Sequence, residues 1–75
     1  MKELSERLYE LRKEAKYSQE ELAGMLNISR QALSKWETGQ ANPDINNVMK
    51  LSKIYHKSTD YILIGEESQE ETMLQ

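Results

Sequence analysis

Cysteine is missing from this 75-residue chain, and histidine occurs once, at His56. No disulfide and no thiolate metal site can brace the fold, and a lone imidazole does not make a zinc site. Long hydrophobic runs are missing as well. Leu4, Leu8 and Leu11 are separated by charges, so the start does not read as a secretory signal. No stretch is long and apolar enough to span a bilayer. A cytoplasmic location is the expectation, in keeping with the missing thiols. No metal set, activated nucleophile or pocket-forming length is apparent, so neither a cofactor nor an enzyme is expected. A chain this short makes one small domain that buries roughly 60% of the surface it exposes when unfolded. Its stability has to come from helix packing.

The net charge is −3, which at first sight argues against a nucleic-acid partner. The distribution of charge weakens that objection. Residues 66–75 hold four glutamates and no base, and without them residues 1–65 carry ten Lys/Arg against nine Asp/Glu. The body is neutral, so any affinity for an anionic polymer depends on where its bases sit. The division expected is a domain over residues 1–65 and a mobile acidic tail over 66–75.

Helical periodicity runs through the body. Leu4, Leu8, Leu11 and Ala15 form one stripe on a first helix from about Lys2 to Lys16. Ser18-Gln19-Glu20-Glu21 is a capping box, with a hydroxyl and a carboxylate placed to satisfy each other's exposed N–H groups. It opens a second helix, 19–26, with Leu22, Ala23 and Leu26 inward. Asn27 tolerates the left-handed backbone that ends a helix, and Ser29 is a good cap for the next. That third helix covers 30–38 and stops at Gly39. Pro43 keeps 40–43 a loop. Asp44 caps a fourth helix to about Tyr55, with Ile45, Val48, Leu51, Ser52 and Tyr55 inward and Met49 marginal. Ser58 caps a fifth helix ending near Ile64, with Ile62 and Leu63 inward, and Gly65 stops it. The fold class expected is all-α, with five helices.

The segment Ser18–Gly39 carries the functional signal. Two short helices joined by a three-residue turn must cross steeply, so the second stands out from the body. At ~100° per residue, Arg30, Gln31, Ser34, Lys35 and Thr38 fall within an arc of about 140°. Ala32, Leu33 and Trp36 point the other way, which makes Trp36 a packing residue. No carboxylate lies in the polar arc, and Glu37 stands at its edge. Such a face suits the acceptor-rich major groove of DNA, where glutamine pairs with adenine and arginine or lysine with guanine. Arg30, Gln31, Ser34 and Lys35 are the candidate base contacts. Ser18, Gln19, Ser29, Thr38 and Asn42, at helix ends and in the following loop, are candidate phosphate contacts.

These residues carry a resemblance. The runs Ser18-Gln19-Glu20-Glu21-Leu22-Ala23 and Ile28-Ser29-Arg30-Gln31-Ala32-Leu33-Ser34-Lys35-Trp36-Glu37-Thr38-Gly39, followed by Asn42-Pro43, resemble the Cro/phage-repressor helix-turn-helix family, often called XRE-like. The match covers about residues 4 to 65. It implies a compact five-helix, lambda-repressor-like domain that binds double-stranded operator DNA with two-fold symmetry as a homodimer, usually as a repressor. It also implies an ion pair between Arg12 and Glu37 that ties the first helix to the third. Asn27 departs from the family's frequent glycine, Tyr55 from a usual aliphatic residue, and Lys57 and Thr59 from common apolar ones.

His56, Ser58 and Asp60 invite comparison with a catalytic triad, but they crowd one turn and lack an oxyanion hole, so Ser58 is better explained as a cap. A protein-interaction module on the same scaffold, antitoxin-like or partner-sequestering, is the alternative function. It is favoured modestly by the neutral body and by a tail whose Met73-Leu74 could dock on a protein partner.

Overall fold

The computed structural model describes residues 3–66, and the acidic tail beyond Glu66 lies outside them. All regular structure among the described residues is helical: α1 (Leu4–Glu14), α2 (Gln19–Leu26), α3 (Arg30–Thr38), α4 (Ile45–Tyr55) and α5 (Thr59–Ile64). Each helix starts at a residue with extended backbone. At α2, α3 and α5 this residue is Ser18, Ser29 or Ser58, whose hydroxyl accepts the N–H three positions on. Such a cap satisfies an amide that the helix cannot, and is worth about 1 kcal/mol. Left-handed residues stop α2 at Asn27, α3 at Gly39, α4 at His56 and α5 at Gly65.

α1 is shorter than its periodicity predicts. Glu3 and Glu6 form a capping box that starts it at Leu4, and Lys16 has left the helix with φ at +64°. Ala15, expected on the buried stripe, is therefore exposed at the helix end. Asp44 precedes α4 but does not bond a backbone amide there; its carboxylate accepts from Asn47 Nδ2 at 2.5 Å instead.

Every helix feeds one core. Leu8 and Leu11 from α1, Leu22, Ala23 and Leu26 from α2, Leu33 and Trp36 from α3, Val48 and Leu51 from α4, and Ile62 from α5 are all buried. Fully burying one such aliphatic side chain contributes about 1.5–3 kcal/mol. Ile45 and Leu63, both expected inward, are exposed at 62% and 42%. Ile45 belongs to the first turn of α4, beyond the reach of neighbouring helices, while Ile54 and Tyr61 take the half-buried places against the core.

A buried cation closes the assembly. Arg7 is 5% exposed, and its guanidinium donates to the carbonyls of Ile62 at 3.0 Å and Leu63 at 2.7 Å. The last carbonyls of a helix lack intrahelical partners, so α1 supplies donors to the end of α5. At Gly65, φ +80°, a Cβ would stand 3.0 Å from Arg7 Nη1, so a side chain there would meet both backbone strain and the guanidinium.

Candidate nucleic-acid interface

α3 is anchored from behind by α1 and α2. Leu33 is 1% and Trp36 7% exposed, so tryptophan serves packing. The opposite face is open: Arg30, Gln31, Lys35 and Thr38 are exposed and Ser34 is half-buried. No acid occurs among residues 22–36. The candidate base-contact side chains thus share one outward surface on a short rod with a fixed back.

The turn before α3 is tight for stated reasons. Asn27 takes φ +59°, ψ +44°, a conformation that asparagine tolerates better than most residues. Ile28 N–H then returns to the carbonyl of Ala23 at 3.0 Å, and the Ile28 side chain packs against the core. The chain leaves α2 and re-enters a helix within three residues, with Ser29 Oγ accepting from Ala32 N–H at 3.1 Å.

Beneath this surface lies a buried ion pair. Arg12 Nε donates to Glu37 Oε2 at 2.8 Å and Arg12 Nη2 donates to Glu37 Oε1 at 3.0 Å. A third guanidinium bond goes to the Tyr17 carbonyl at 2.9 Å. The side chains are only 9% and 3% exposed. Hydrogen bonding to Glu37 is the main cause that raises the Arg12 pKa, against the opposing effect of burial. The Tyr55 hydroxyl is buried close by without a hydrogen-bond partner. Burial chiefly, and the field of Glu37 next, hold it in the protonated form well above the ordinary tyrosine range.

The candidate phosphate contacts divide into two sorts. Ser18 and Ser29 spend their oxygens as caps, to Glu21 and Ala32; a hydroxyl also has a proton, which each can donate outward. Asn42 is exposed in the loop after α3. Gln19 and Thr38 are engaged within the protein. Gln19 Nε2 donates to Glu37 Oε1 at 3.1 Å, and Gln19 Oε1 accepts a long bond from Arg30 Nη1 at 3.4 Å. Thr38 Oγ1 donates to the carbonyls of Ser34 and Lys35. Its proton is therefore committed, whereas Gln19 keeps one amide hydrogen.

An open groove of about 840 Å³ runs beside this network, between the end of α1 and the start of α2. Four of its lining residues are cations: Arg12, Lys13, Lys16 and Arg30. Lys13 and Lys16 are not among the contacts expected from sequence. Their only signal there is a spacing of three, just ahead of the Ser18 capping box.

Two short capped helices, a three-residue turn and an acid-free outer face are the elements by which a helix-turn-helix is recognised. The helix-turn-helix family profile matches residues 8–62. The chain belongs to the helix-turn-helix family. Among its helix-turn-helix relatives, an uncharacterized transcriptional regulator derived from prophage SPβ of Bacillus subtilis, YonR, is 44% identical over 64 residues, covering 85% of this chain and 59% of that protein. The transcriptional regulator ImmR of Bacillus subtilis is 45% identical over 60 residues, 80% of this chain and 47% of its own length. The chain thus spans about half the length of these curated relatives. The crystal structure of the P22 c2 repressor in complex with a synthetic operator superposes with a TM-score of 0.82 at 35% identity, over 88% of this chain and all 100% of that one. This likeness identifies the five helices as the repressor-like DNA-binding fold.

Proposed function

We propose that residues 1–65 bind double-stranded DNA sequence-specifically, laying α3 in the major groove, and that the protein is a transcriptional repressor. One observation carries this reading. The face of α3 holding Arg30, Gln31, Ser34 and Lys35 looks outward and contains no acid, while its back is fixed by Leu33 and Trp36. A fixed rod with donors outward is what direct reading of base edges requires. The similarity to a repressor seated on its operator supports the same reading over that of a protein-interaction module.

In this reading Gln31 and Lys35 read bases, and Arg30 reads a base or a phosphate from its tether on Gln19. Ser18, Ser29 and Asn42 hold phosphates. Gln19 contributes its remaining amide hydrogen, and Thr38 has to turn from its carbonyls to join them. Two copies bind a two-fold site, with their α3 helices in successive major-groove turns about 34 Å apart. The exposed Ile45, Met49, Leu63 and Ile64 of α4 and α5 offer apolar area for the second copy. The work is done in the cytoplasm, where occupying a promoter excludes the transcription machinery.

Selection of bound duplexes from random-sequence DNA tests the proposal. Enrichment of a two-fold consensus supports it. Recovery of no consensus, from a chain that remains folded, rejects it.

A further inference from the structure

We propose that Lys13 and Lys16 form a second, sequence-independent grip on the DNA backbone, holding phosphates beyond those met by the helix-turn-helix itself. The inference rests on the DNA-binding reading above and extends its footprint to the end of α1.

Three observations carry it. First, both lysines line the groove that also takes in Ser18, Gln19 and Arg30, so their charges continue the proposed phosphate-binding edge. Second, cations outnumber acids along the groove, four to two. Of the two acids, Glu21 is turned back to accept the Ser18 N–H at 2.8 Å. Glu20 stands in the first turn of α2, beside that helix's positive end. Lys13 instead lies 5.9 Å from the centre of the half-exposed Tyr9 ring, a contact that steadies an ammonium without neutralising it.

Third, Lys16 occupies a position whose backbone favours another residue. Its φ of +64° lies in the left-handed region, which glycine adopts freely and a residue with a long side chain adopts only under strain. A lysine there places a positive charge at the mouth of the groove at the expense of local stability. In a body that is close to neutral, such placement is what decides affinity for a polyanion.

The grip is read from salt dependence. Each phosphate neutralised on B-DNA contributes about 0.9 to the slope of log K against log salt. The wild-type chain, Lys16→Gly, Lys13→Gln and the double variant are titrated from low to physiological salt. The probes are a duplex selected by the wild type and a random-sequence duplex of equal length. Each single substitution is expected to lower the slope by about 0.9, and the double by about twice that. Affinity for both duplexes should fall several-fold, with an unchanged ratio between them. Lys16→Gly should melt at the same temperature as wild type or higher. Unchanged slopes overturn the proposal while leaving the base-reading helix intact. A lower melting temperature with unchanged slopes also overturns it, because the lysines would then serve only the negative end of α1. A wild type that binds neither duplex overturns this inference together with the reading beneath it.

Discussion

Arg12 and Glu37 lie 25 positions apart in sequence and meet through two charge-assisted hydrogen bonds of 2.8 and 3.0 Å, almost out of contact with water. The pair locks the last turn of α1 against the last turn of α3, and Gln19 bonds the same carboxylate from α2. Three helices of the DNA-binding unit are therefore registered on one side chain. Arg12→Ala should destabilise the fold by about 3–5 kcal/mol, because it strands a buried carboxylate. Replacing both partners by apolar residues of similar volume should recover most of that loss. Chemical denaturation of the three variants measures it, and a loss below about 1 kcal/mol for Arg12→Ala would class the pair with surface ion pairs.

Removal of the Gln31 side chain addresses recognition, since it is exposed on α3 and touches no part of the core. Gln31→Ala should weaken binding to a selected site by about 1–3 kcal/mol and leave binding to random DNA nearly unchanged. Fluorescence anisotropy on the two duplexes gives the comparison. Equal losses on both would assign Gln31 to the backbone rather than to bases.

Gly24 sits in the middle of α2, and a Cβ built on it meets nothing within 4 Å. Its only effect on stability is the freedom it gives the unfolded chain. Gly24→Ala should raise stability by about 0.4–1 kcal/mol, visible as a higher midpoint in urea with an unchanged slope. A destabilised variant would reveal a close neighbour at that position.

Tyr55 is the weak point of the core. Its buried hydroxyl has no partner, so Tyr55→Phe should gain about 1 kcal/mol. The same burial raises the folded pKa, which fixes the sign of a pH effect. Above the ordinary tyrosine pKa of about 10 the unfolded chain has released this proton while the folded chain retains it. Stability from this group is complete below about pH 10 and falls as pH rises beyond it. The advantage of the Phe variant over wild type should therefore widen in alkali. A constant difference from pH 8 to 11 would mean that the hydroxyl ionises equally in both states.

The bounds of α2 and α3 could be read from sequence because each is punctuated by its own residues: Ser18, Asn27, Ser29 and Gly39. The start of α1 could not, since Glu3 is a less usual cap and its role depends on Glu6 folding back. Periodicity found the buried leucines but overcounted at helix ends. Ala15, Ile45 and Leu63 keep the right phase yet lie where no neighbouring helix covers them. The outward face of α3 was legible because it is a local property of one helix. What escaped was whatever depends on distant packing. The burial of Arg7 needs α5 beside α1, and the inward turn of Gln19 needs Glu37 in place.

The clasp between Arg7 and the end of α5 spans 55 and 56 positions of the chain. Ile62 and Leu63 lie in the last helix and Arg7 in the first, so the bonds tie the two ends of the described body to each other. Loosening α5 therefore removes two acceptors from α1, the helix that also backs α3. Disturbance at the end of the chain is in this way transmitted to the support of the outward-facing helix.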